Sequence, residues 1–273
     1  DYYGQSGKPA VDEAVLEVVT EPSARAIKLE AGEVDVALDP PLNQIAALGE
    51  VEGINTGEVI PYRADFVLMN TTRAPFGDIR VRQALNYAID KDALVQGVLY
   101  GRGKPAASAM PVMKYADPDL EPYPYDLEKA KELLAEAGYP DGFEAEMVVD
   151  SGKAASRNAA IALQAMLQNV GVKLKIQMLE SGTQWQTTGN YDMAVAYTTS
   201  DTIDPDQIIG FVAVNPERAN AYHTEWKDEA LNELYAEERL TVNGPEREEM
   251  FKEMVNLLHE GAPFIFLFHP ATA

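Results

Sequence analysis

Cysteine is absent from this 273-residue chain, which excludes disulfides and every form of thiolate chemistry. Histidine is scarce: His223, His259 and His269 are the only three, and no pair of them has metal-ligand spacing. Basic side chains are few, 22 lysines and arginines against 44 aspartates and glutamates, for a formal charge of -22. Phosphate binding needs a basic face, which argues against nucleic acid as a partner. The acidic excess reads as a solvated surface that aids solubility. No run of about 18 apolar residues could span a bilayer. The opening residues DYYGQSGKPAVDE carry no basic region followed by an apolar stretch, so any signal peptide would lie upstream of this chain.

Catalytic constellations are also missing. Gly101-Arg102-Gly103-Lys104-Pro105 has the look of a phosphate loop, but it lacks the Walker spacing and ends in proline instead of opening a helix. No nucleophile elbow supports Ser-His-Asp catalysis. Carboxylates are so abundant that pairs arise by chance, which empties any glycosidase argument. No cofactor is implied.

What is present is ordinary globular material: 46% hydrophobic and 24% charged residues, enough for one large core or two smaller ones. Val11 to Val19 reads as a strand, Pro22 to Gly32 as a helix with its stop, and Val34 to Leu38 as a short strand closed by Pro40-Pro41. A helical turn at Leu42 to Leu48 precedes another strand near Ile54 to Ile60. Phe66 to Asn70 is an apolar strand, after which Asp78 is an N-cap for a helix carrying Val81, Leu85, Ala88 and Ile89.

Further on, Asp126 caps a helix with Ala130, Leu133, Leu134 and Ala137 on one face, and Gly138 and Pro140 end it. Phe143 to Val149 alternates as a strand. Arg157 to Val170 is a helix with Ile161, Ala165 and Met166 inward, stopped at Gly171, and Val172 to Met178 alternates again. Met193 to Tyr197 is continuously apolar, as a central strand covered on both faces would be. Helices at Lys227 to Leu240 and Pro245 to His259 follow, then the apolar β-prone segment from Phe264. At the end of that last helix, His259 is placed where a cation complements the dipole. The strand–helix alternation predicts an α/β fold with a mostly parallel mixed sheet and flanking helices.

Five blocks carry a resemblance. They are GKPAVDEAVLEVV (7–19), ARAIKLEAGEVDVA (24–37), the long stretch FVLMNTTRAPFGDIRVRQALNYAIDKDALVQGVLYGRGKPAASAMP (66–111), YDLEKAKELLAEAGYPDGF (125–143) and YDMAVAYTTSDTIDPDQII (191–209). In this order they resemble the extracytoplasmic solute-binding proteins, family 5, that feed peptide and nickel ABC importers. The resemblance implies a periplasmic-binding-protein-like (type II) fold. It further implies that residues 1–65 are the tail of a first, β-rich lobe and that 66–70 and 264–269 are crossing hinge strands. Residues 71–262 would then be a second α/β lobe. It implies a monomer outside the cytoplasm, in the periplasm or anchored by lipid through residues upstream, that captures a peptide and passes it to a membrane permease without catalysis. Chelated nickel or an oligosaccharide is the alternative ligand within the family. An isolated structural α/β domain is the alternative outside it.

The same resemblance places ligand-binding residues in the loop after the central strand. Asp201 matches the aspartate that pairs with a peptide's α-amino group, with Tyr197, Thr198, Thr199 and Thr202 around it. Relatives usually carry a tryptophan just before this aspartate; here Tyr197 to Ser200 stands instead, and the register is open by one residue. Asp201 as a mere helix cap or a solvated group is the competing reading. Asp204 and Asp206, flanking Pro205, read as caps of the next turn. Arg80 and Arg82 read either as grips for an anion or as supports for their helix. Trp185 is placed near the cleft, and Trp226 against the core.

Overall fold

The computed structural model describes residues 11–111, 115–180, 189–213, 222 and 224–273. Trp185, His223 and the first residues of the 7–19 block lie outside the described residues. The chain divides into two compact units, Asp1–Gly57 with Ala273, and Glu58–Thr272.

The described residues of the first unit hold two short α-helices. Helix α1 (Pro22–Glu30) has proline at its first turn and buries Ala26, while Lys28 in its last turn lies 3.0 Å from Glu17 and 3.3 Å from Glu33. Arg25 donates to Val19 O and Asp39 O. A 3₁₀ turn at Leu42–Gln44 leads into α2 (Ile45–Gly49), which buries Ile45 and Leu48. The strands expected at 11–19 and 34–38 do not form. Their apolar residues point outward, with Leu16 94% exposed. A strand is stable only when a neighbour takes its hydrogen bonds, and the described residues of this unit supply none.

The second unit is a six-stranded mixed sheet. In order of occurrence its strands are β1 (Arg63–Met69), β2 (Gly103–Pro105), β3 (Glu144–Asp150), β4 (Lys173–Leu179), β5 (Met193–Thr199) and β6 (Phe264–Pro270), with spatial order β2-β6-β1-β5-β3-β4. Only β5-β3 and β3-β4 are parallel; β5-β1, β1-β6 and β6-β2 are antiparallel. The parallel share is smaller than the alternation suggests, because β1 runs against both of its neighbours. The expected strand near Ile54–Ile60 reduces to a single bridge between Val59 and Thr272. Gly103–Pro105, read as loop, is a short edge strand.

Capping chemistry sets the helices. Helix α3 (Ile79–Tyr87) starts where Asp78 accepts from Arg80 N, and α4 (Lys91–Leu99) where Asp90 accepts from Ala93 N. In α5 (Leu127–Glu136) Asp126 accepts from Lys129 N. Helix α6 (Ala154–Gln168) begins three residues earlier than expected, since its N-cap, Lys153, has no capping side chain to mark it. Its inward face is Ser156, Ala159, Ala160, Leu163 and Leu167; Ile161, expected inside, is 56% exposed. Helices α7 (Asp206–Val212), α8 (Glu229–Glu238) and α9 (Pro245–Gly261) follow among the described residues.

Every residue of β6 is buried, and Phe66 of β1 packs 4.8 Å from Phe264, centroid to centroid. His259 is not a charged helix-end group. Burial lowers its pKa, its Nδ1–H donates to Ala107 O, and its ring stacks on Tyr123. Arg82 donates to the carbonyls of Phe76, Gly77 and Gly261, whereas Arg80 grips Asp78. Trp226 packs against Gly261, where an added Cβ would collide with its ring.

Candidate functional site

In open α/β sheets ligands gather beyond the carboxyl ends of the parallel strands. Here that edge collects the ends of β3, β5 and β6 with the start of β1, because β1 runs opposite to β5 and β6. Arg63 stands opposite Thr199, and Asp65 opposite Tyr197.

Tyr197 is the centre of this edge. The Arg63 guanidinium lies 4.1 Å from its ring centroid and the Lys153 ammonium 4.5 Å, and Lys153 Nζ donates to the Tyr197 hydroxyl at 3.3 Å. Both cations lie against one aromatic ring, whose quadrupole attracts them. Each has a carboxylate beside it. Arg63 holds Asp65 through two bonds of 2.6 and 2.8 Å, and Lys153 lies 3.5 Å from Asp150. Asp65 is buried, which pushes its carboxyl pKa up against the opposing pull of Arg63. His269 closes the cluster from β6: its Nδ1–H donates to Arg63 O at 3.0 Å, and burial keeps the ring neutral by lowering its pKa.

The loop after β5 carries the other named residues. Ser200 N donates to Tyr62 O, and Ser200 Oγ donates to Thr202 O, folding the loop on itself. Asp201 and Thr202 are exposed, as are Thr199 and Ile203. Thr198 is buried on the opposite face of β5, as strand alternation requires of a residue between Tyr197 and Thr199. Asp204 accepts from Asp206 N ahead of α7.

Sequence reasoning therefore named the loop and Tyr197 but missed Arg63, Lys153, Asp65 and Asp150. A signal for Lys153 and Asp150 was available: both follow the alternating strand Phe143–Val149, at the end where parallel sheets hold ligands. Arg63 precedes the expected strand by only three residues, but its pairing with β5 is long-range and has no local mark.

The family model of the bacterial extracellular solute-binding proteins, family 5 (middle region), matches residues 1–217. Heme-binding protein A of Haemophilus influenzae is 30% identical over 271 residues, taking in 96% of this chain and 49% of that protein. The dipeptide-binding protein of Escherichia coli is 30% identical over 277 residues, 98% of this chain and 51% of that one. Among solved structures, the periplasmic binding protein DppA of Helicobacter pylori in complex with the peptide STSA superposes with a TM-score of 0.82 at 29% identity. That match covers 93% of this chain and 50% of that one. The chain spans about half the length of the curated relatives it matches. Its mixed sheet with flanking helices is the fold of the type II periplasmic binding proteins. With most of its length matched by the family model, the chain belongs to the bacterial extracellular solute-binding proteins, family 5, whose members are binding proteins rather than enzymes.

Proposed function

We propose that the complete protein is the substrate-binding component of an ABC importer. It takes peptides into a cleft outside the cytoplasm and delivers them to a membrane permease, catalysing nothing. The observation that carries this reading is the pairing of opposite charges along one sheet edge. Asp201 offers an exposed carboxylate in the loop after β5, and Lys153 and Arg63 gather on the ring of Tyr197. A free peptide is a zwitterion, with an ammonium for Asp201 and a carboxylate for the cationic side. Charge-assisted hydrogen bonds to both ends would leave the side chains loosely specified. The dipeptide-binding and STSA-bound relatives support the same ligand class.

Residues 66–70 and 264–269 act in this proposal as the crossing hinge strands, and 71–262 as one lobe. Closure over the ligand would present both lobes to the permease together. A second reading, a chelated metal, is favoured by the likeness to Heme-binding protein A. It needs no ligating cluster from the protein itself.

A thermal-shift screen of the full-length protein separates the two readings. The panel holds di- to pentapeptides, heme and nickel with histidine, each repeated on Asp201→Ala. Ligands that bind only the folded state raise the midpoint. The proposal expects a peptide response that Asp201→Ala abolishes. A response to heme or nickel–histidine alone would overturn it in favour of the second reading.

A further inference from the structure

The loop that carries Asp201 is fixed at its far end by a residue some forty positions away in sequence. Arg247, in the first turn of α9, is buried and spends its guanidinium on three chain segments. Its Nη1 and Nη2 hold the Asp204 carboxylate at 2.8 and 3.0 Å. Nη1 also donates to Asn243 Oδ1 at 2.6 Å, and Nε to Glu238 Oε1 at 2.7 Å. The guanidinium lies 5.0 Å from the Phe251 ring centroid. Glu238, the last residue of α8, is fully buried, and its Oε2 has no hydrogen-bond partner among the described residues.

This is a costly way to fill space. Burying such a network carries a desolvation penalty that apolar side chains of similar volume would avoid, so packing alone does not account for it. What the ions supply and apolar groups cannot is direction. A planar fork with two bonds to one carboxylate sets both the place and the orientation of Asp204. Between the Tyr62–Ser200 bond and this clamp the loop is closed internally by Ser200 Oγ to Thr202 O and Thr202 Oγ1 to Asp204 O, at 2.8 and 3.1 Å. Asp201 sits in that short span.

We infer that Arg247 is a positioning residue for the ligand loop: through Asp204 it holds Asp201 in the orientation that meets the ligand's ammonium. The inference rests on the peptide reading above. A carboxylate ordered before binding spares the ligand the cost of ordering it, and affinity for the charged amine gains accordingly.

The test is calorimetric titration of the full-length protein with a free dipeptide and with its N-acetylated counterpart. The proteins are the wild type, Asp201→Asn, Asp204→Asn, Arg247→Met and the double variant Asp201→Asn/Arg247→Met. The wild type should prefer the free amine by roughly tenfold or more, the scale of one charge-assisted hydrogen bond. Arg247→Met and Asp204→Asn should each shrink that preference several-fold while leaving affinity for the acetylated peptide unchanged. In the Asp201→Asn background Arg247→Met should change nothing further. A general loss of folding would lower both affinities together, so the ratio separates positioning from stability. Asp204→Asn keeps Arg247 bonded to Glu238 and Asn243, and it carries the test if Arg247→Met does not fold. Full wild-type preference in both clamp variants, or effects that multiply with Asp201→Asn, would overturn the inference. A wild type without any preference for the free amine would instead defeat the amine reading itself, before any variant is measured.

Discussion

Asn86 completes the hydrogen bonding of β6 at Phe266. Its Oδ1 accepts from Phe266 N at 3.1 Å, and its Nδ2 donates to Phe264 O at 2.8 Å. A side-chain amide has the same donor and acceptor as a peptide unit, so one residue of α3 stands where a neighbouring strand would be. Strand β2 pairs with β6 only at Phe268–Pro270, which leaves this stretch to Asn86.

Asn86→Leu keeps the branched shape of the side chain and removes both partners, stranding two buried backbone groups. The expected loss is about 2–4 kcal/mol of folding stability, read from guanidinium unfolding midpoints. A loss below about 1 kcal/mol would show that the two groups find other partners.

Lys91 gives a pH signature. Its ammonium is buried against the carbonyls of Asn86 and Tyr123, and burial lowers its pKa from 10.5 to about 7. Below about 7 both the folded and the unfolded chain hold the proton, and the folded state bears the whole cost of the buried charge. Between about 7 and 10.5 the unfolded chain binds more protons, so this cost is relieved as pH rises. His259 is held down by burial and titrates below this window, and Tyr123 is pushed above it. Lys91→Met should therefore gain stability over the wild type at pH 6, and the gap should narrow toward pH 10. Thermal midpoints of the two proteins across this range check it; a constant gap would count against a buried charged lysine.

Two helix-ending glycines should respond differently to alanine. Gly138, after α5, has φ 91° and open space where a Cβ would go. Gly171, after α6, has φ 81°, and a Cβ there would lie 2.4 Å from Asp141 O. Gly138→Ala should cost about 1 kcal/mol, the strain of a left-handed alanine. Gly171→Ala should cost several times more, because backbone must move as well. Equal unfolding midpoints for the two variants would contradict the close approach.

Arg80 and Arg82 are two residues apart and should differ as sharply. Arg82→Met leaves three backbone carbonyls without their donor, and a loss of about 2–3 kcal/mol is expected. Arg80→Met breaks a half-buried pair with Asp78 and a bond to Glu136 O, and should cost no more than about 1 kcal/mol. Unfolding midpoints of both variants in one buffer decide the comparison.

Much of this was legible in the sequence because it is local. Asp126 and Gly138 bracket α5 by their own chemistry, and the residue-to-residue alternation at 143–149 gives β3 directly. Hydrophobicity points to Ile161 as the buried face of α6, while small residues, Ser156, Ala159 and Ala160, are what let the helix lie close to the sheet. The strands expected at 11–19 and 34–38 have the right composition, but pairing is a property of a partner and no local pattern reports it. The same limit applies at the site. Asp201 could be named by resemblance, whereas Arg63 and Arg247 act across β1–β5 and α9–loop contacts that only the fold creates.

The pairing of β1 with β6 also sets an order of events. His269 and Arg63 meet although 206 residues separate them, and β6 lies between β2 and β1 inside the sheet. A chain emerging from its N-terminus therefore cannot complete this sheet until Pro270 has emerged. Until then β1 and β2 expose the edges that β6 will fill, and long-range pairing of this kind is slow. The second unit thus stays open until its last strand has been made.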